Sequence, residues 1–111
     1  MKDYELDFIK RIRPDILEEV KRNIADDVRN DGSLTEAAKL AYGTLRLMTK
    51  KGGYDTYSLI DLSEIFELSH DEVKDLMRGL CEKRYIGHLK RGLRAKNILY
   101  IFLDSRLNYE K

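Results

Sequence analysis

The chain has one cysteine, one proline and no tryptophan in 111 residues. A single cysteine excludes an internal disulfide framework, so the fold must close on apolar packing alone. That length is enough for one domain to bury about two-thirds of its unfolded surface without staples. Histidine is equally scarce: His70 and His88 are the only two, and neither has a cysteine or carboxylate at metal-ligand spacing, so no metal is expected. Gly52-Gly53 lacks the lysine and strand of a phosphate-binding loop. The acidic pairs Glu18-Glu19 and Asp26-Asp27 sit on polar helix faces and read as solvated. Neither an enzyme nor a cofactor is expected. No apolar run approaches the roughly 20 residues that cross a bilayer, and MKDYELDFIKRIR is not a signal peptide. A cytoplasmic protein is the expectation.

What is present is charge, 37% of residues, with a formal sum of only +1. The sum hides a polarity. Residues 1–36 hold seven Lys/Arg against ten Asp/Glu, residues 37–77 five against seven, and residues 78–106 eight against two. A chain basic at one end and acidic at the other suits one nucleic-acid face and one solvent or partner face.

Capping signals and apolar spacing predict the helices. Leu6, Phe8, Ile9 and Ile12 suggest a short helix ending before Pro14, which suits the first turn of the next. In that next helix, Ile16, Leu17, Val20, Ile24 and Val28 form a stripe at helical spacing, read as continuous to the Asn30-Asp31-Gly32 stop. Ser33 with Glu36 reads as a capping box opening a helix whose Leu34, Ala37, Ala38, Ala41, Leu45 and Met48 face the core. Gly43, near its middle, costs about 1 kcal/mol against alanine and so points to a close helix crossing. Thr56 to Leu59 reads as a short strand. Asp61 with Glu64 reads as a box opening a helix buried through Leu62, Ile65 and Phe66, and Ser69 with Glu72 opens a longer one with Val73, Leu76, Met77, Leu80 and Cys81 on one side. Cys81 is read as a packed small side chain. Only Glu67 and Leu68 are left to form the turn between those helices. Tyr85 to Lys90 and Asn97 to Leu103 then read as a hairpin whose RGLRAK loop carries Arg91, Arg94 and Lys96.

The run Leu62, Ser63, Glu64, Ile65, Phe66, Leu68, Ser69, Glu72, Val73, Leu76, Met77, Leu80, Tyr85 and Ile86, followed by a basic hairpin, resembles the winged helix-turn-helix superfamily over about residues 33–103. The likeness is to small prokaryotic and archaeal regulators of the MarR, ArsR and Lrs14-like kind. It implies a mainly α fold with a small β-hairpin, a winged helix-turn-helix domain at 33–111 and an extra N-terminal helical extension at 1–32. It also implies duplex DNA as partner, with the second helix of the pair in the major groove. Ser69, His70, Lys74 and Arg78 are then the expected contacts on that helix, and Lys90, Arg91, Arg94 and Lys96 those on the wing. Tyr57 and Ser58 are candidates for a phosphate near the helix start. The alternative use of such a fold is to bind protein in a transcription, replication or virus-encoded assembly, and the acids Asp71, Asp75 and Glu82 on the outward helix face favour it. A homodimer through Ile16, Leu17, Val20, Ile24 and Val28 is expected, because so long a stripe needs cover. The competing outcome is packing of that stripe within the chain.

Overall fold

In a computed structural model that describes residues 2–49, 53–90 and 98–103, the described residues form α1 (Asp3–Arg11), α2 (Pro14–Arg22), α3 (Asp26–Arg29), α4 (Glu36–Met48), β1 (Tyr54–Ser58), α5 (Leu59–Phe66), α6 (His70–Glu82), β2 (Gly87–Lys90) and β3 (Ile98–Leu103). The strands make one antiparallel sheet in the order β1-β3-β2. Tyr57 stands opposite Tyr100, and His88 opposite Tyr100 from the other side. The fold is mainly helical with a small sheet, and the sheet has one strand more than a hairpin. The added strand is the one read at Thr56 to Leu59, shifted so that Leu59 begins α5.

The helix after Pro14 is not continuous. Pro14 occupies its first turn as expected, but α2 ends at Arg22 and the chain turns through Asn23 to Ala25 before α3. Guanidinium groups of α3 and α4 join local bonds in satisfying the freed carbonyls. The Arg29 guanidinium donates to Lys21 O at 2.8 Å and Ile24 O at 3.0 Å, and Arg46 donates to Asn23 O at 3.3 Å. The break lets both halves of the stripe turn inward, and Val20, Ile24 and Val28 are buried within the chain. Gly43 makes this approach possible, since a Cβ there would lie 2.4 Å from Val20 O. Of the five residues expected to pair two copies, only Ile16 is exposed and Leu17 is half-buried. The need for a partner to cover the stripe therefore falls away.

Two of the three expected capping boxes form elsewhere. Ser33 is bound to Asp31 instead, its hydroxyl at 2.6 Å, and Thr35 caps α4 by accepting from the amide of Ala38. The Asp61–Glu64 box gives way to Ser58 with Asp61, one turn earlier, because Leu59 belongs inside and needs the helix to have started. Met48 and Ile65, expected inside, are exposed. The Ser69–Glu72 box forms as expected, with Ser69 N donating to Glu72 Oε1 at 2.9 Å and Glu72 N to Ser69 Oγ at 3.2 Å. Between α5 and α6, Glu67 takes a left-handed conformation with φ 55°, and the Ser63 hydroxyl closes on Leu68 O.

One core runs from Phe8 through Val20, Leu40, Leu45, Leu62, Leu80 and Ile86 to Phe102. α1 enters it through Phe8, which meets the Phe66 ring edge-on with centroids 5.2 Å apart. Tyr57, offered as a phosphate contact, is buried here with its hydroxyl 3.0 Å from Thr49 Oγ1, and the Ser58 hydroxyl is held by its cap.

Candidate nucleic-acid interface

α6 buries Val73, Leu76, Met77 and Leu80 and turns Asp71, Arg78 and Glu82 outward as a ridge. Lys74 lies on the sheet side of that ridge and Asp75 on the α1 side. The charges on this face pair within the helix: Lys74 with Asp71 at 3.4 Å and Arg78 with Asp75 at 3.4 Å. Neither pair is tight, and Arg78 and Asp71 keep 64% and 94% of their side-chain surface open, so both cations can leave for a phosphate at small cost.

On the sheet side of the ridge, Lys74, Arg78, Cys81, His88, Ile98 and Tyr100 line an open groove of about 420 Å³. Alternation along the strands sets this wall: Tyr100 and Phe102 point into the core, and His88, opposite Tyr100, shares their face. The groove thus has an apolar floor and cations on its helix wall. Burial pushes the Cys81 thiol up to about 11, which keeps it protonated and unreactive at neutral pH. Cys81 is half-buried on the groove's floor and is not packed as deeply as the stripe implied.

Of the expected contacts, the structure brings together Lys74 and Arg78 on α6; His88, which is not among them, stands across the groove. Ser69 and His70 are exposed at the start of the helix, where the Ser69 oxygen is engaged with Glu72. Lys90 is exposed at the end of β2. Arg91, Arg94 and Lys96 lie outside the described residues. Among the described residues no group of three or more His, Cys, Asp or Glu is placed to hold a metal, and no helix is long and apolar enough to cross a membrane.

Sequence reasoning missed what sits on Asp75. Lys2 Nζ lies 2.6 Å from Asp75 Oδ2, and the Tyr4 hydroxyl donates to the same oxygen. Lys2 first and then Tyr4 hold the Asp75 carboxyl below the usual carboxylate range, while burial, aided by Asp75, raises the Tyr4 phenol. Arg11 donates to Glu67 O at 2.6 Å in the turn between α5 and α6. The first helix is therefore bound to both members of the helix pair. No spacing signal foretells this, since the partners are more than fifty residues apart in sequence.

The outer face of the sheet is different again. By strand alternation it carries Tyr54, Thr56, Leu89, Leu99, Ile101 and Leu103, with no charged side chain. Tyr54, Leu89 and Leu103 are about half exposed or more. No family model, curated protein or solved structure matches the chain.

Proposed function

We propose that the chain is a DNA-binding protein of winged helix-turn-helix architecture, acting as a transcriptional regulator. In this reading α6 lies in the major groove and the β2–β3 hairpin flanks it. The observation that carries the reading is the open groove between α6 and the sheet, with Lys74 and Arg78 one turn apart on one wall and His88 on the other. A phosphate strand running along it meets cations on the helix side, and the ridge beyond reaches the base edges. The order helix, strand, helix, helix, strand, strand from α4 onward supports the same reading, as does the excess of Lys/Arg over Asp/Glu after residue 77.

Fluorescence anisotropy with generic duplex DNA at low salt tests it. Binding tighter than the roughly 10⁻⁴–10⁻⁶ M of non-specific complexes at physiological salt is expected, falling steeply into that range as salt is raised. Replacing Lys74 and Arg78 together with alanine is expected to flatten the slope of log affinity against log salt by roughly two. A wild type that ignores duplex DNA at low salt overturns the reading.

The uncharged outer face of the sheet favours a second reading, in which the fold docks a protein. A regulator acting as a pair of copies would use the same face, because Val20, Ile24 and Val28 are already inside the chain. The same titration separates the two readings. Duplex binding that Lys74 and Arg78 control supports the first, and its absence leaves the second.

A further inference from the structure

The ridge of α6 has a groove on each side. The second, about 220 Å³, lies toward α1 and α4 and is lined among others by Lys2, Glu5, Ser33, Thr35, Asp75 and Arg78. A helix about 10–12 Å across fills a major groove about 12 Å wide, so both of its flanks come beside a phosphate backbone. On the sheet flank the helix offers Lys74. On the α1 flank its own charged groups are Asp75, Arg78 and Glu82, so by itself it would meet phosphate with two carboxylates against one guanidinium, which is itself paired with Asp75.

We propose that Lys2, delivered by the N-terminal segment and held on Asp75, is the phosphate contact on this second flank, which makes α1 part of the DNA-binding surface. The inference rests on the DNA-binding reading above and adds a second cation beside Arg78 for the strand on this flank. Four observations carry it. The Lys2 side chain keeps 62% of its surface open although its ammonium is 2.6 Å from Asp75, and an ammonium has three donors of which this bond uses one. Asp75 also holds Arg78 at 3.4 Å, so one carboxylate sets two cations side by side and acts as a positioning residue for both. Tyr4 adds a hydrogen bond to the same carboxylate, so Asp75 faces the flank already engaged by two partners from the N-terminal segment. Phe8 against Phe66 and Arg11 on Glu67 O fix α1 on the helix pair, so Lys2 does not have to be ordered when DNA arrives.

The test is a salt series of anisotropy titrations on the full chain with one duplex, comparing wild type, Lys2→Gln and Lys2→Arg. Lys2→Gln is expected to weaken binding at low salt and to flatten the slope by about 0.9, the increment for one phosphate. Lys2→Arg is expected to keep the slope. Lys2 is exposed and precedes the first turn of α1, and circular dichroism of each variant checks that the fold is kept. An unchanged slope in Lys2→Gln overturns the proposal. Tighter binding by Lys2→Gln overturns it as well, since the segment would then be covering the face. A wild type that binds no duplex overturns the DNA-binding reading together with this one, whereas a binding wild type with an unaffected Lys2→Gln overturns this one alone.

Discussion

The two helix pairs of the chain, α2 with α3 and α5 with α6, are built alike and held differently. Each has a first helix, a three-residue connection and a second helix. Between α5 and α6 the connection is closed by its neighbours: Ser63 on Leu68 O, and Ser69 and Glu72 on each other's amides. Between α2 and α3 no local side chain caps the new helix at Ala25, and the open carbonyls are met by Arg29 and Arg46. Local closure defines a helix pair before the rest of the domain exists. Between α2 and α3 closure is shared, since Arg29 lies at the end of α3 while the Arg46 bond to Asn23 O forms only after α4 is in place.

The sharpest way to break this contrast is Gly43→Ala. The added Cβ would meet Val20 O at 2.4 Å, and backbone cannot step aside as a flexible side chain can. Despite alanine's better helix propensity, a net loss of about 1–3 kcal/mol in urea unfolding is expected. Hydrogen exchange should quicken in α2 and α3 ahead of α6. A gain in stability would mean that α2 does not rest on α4 at this point.

Two smaller substitutions set the modes of closure against each other. Arg29→Ala removes donors to two carbonyls; with Arg29 half exposed, water replaces part of what is lost, and about 1 kcal/mol is expected. Ser69→Ala removes an N-cap and is expected to cost a similar amount, about 1 kcal/mol. The two part company in where the loss appears. Arg29→Ala should leave duplex binding intact, and Ser69→Ala should weaken it by fraying the helix that carries Lys74 and Arg78. Equal effects on binding would erase the distinction.

The smallest effect concerns the end of the first pair. Asp31 accepts from the Ser33 hydroxyl and amide and from the Tyr85 hydroxyl at 2.9 Å, and these bonds, Ser33's first, lower its carboxyl to about 2. A folded-state value below the unfolded one means that the stabilising contribution is present above about pH 4 and is lost as pH falls through about 2. Asp31→Asn is expected to be slightly less stable at neutral pH and to lose less than wild type between pH 4 and pH 2, read from thermal unfolding at each pH. Parallel curves would detach Asp31 from acid unfolding.

The same contrast explains what could be read from the letters. Ser69, Glu72 and the stripe from Val73 to Leu80 announce α6 because helix, cap and buried face all lie within one short window. Gly43 correctly pointed to a close crossing, since a helix-breaking residue in mid-helix needs a packing reason. The break at Asn23 is illegible, because part of what holds it is Arg46, twenty-three residues on, and because Gly43 is what lets α2 approach α4 there. Ser33 looked like a cap because it precedes Glu36, but Asp31 competes for it from two residues upstream. At the candidate site, Lys74 and Arg78 follow from helical spacing. Lys2 on Asp75 is a tertiary contact that no window contains.

The sheet order has a consequence in time. Both β1 and β2 take their ladder bonds from β3, so Tyr54 waits for Leu103 and Gly87 for Ile101. The helices close over short stretches of chain, whereas β1 must close a loop containing both α5 and α6 before it gains one sheet bond. On a ribosome, the helices can therefore be made and partly packed while β1 is still an unpaired edge. Until Ile98 to Leu103 emerge, Tyr57 and its neighbours offer that edge to any other chain. The last described strand is thus the step that ends the chain's exposure to aggregation, and a slow or interrupted synthesis just before Ile98 is where misassembly should concentrate.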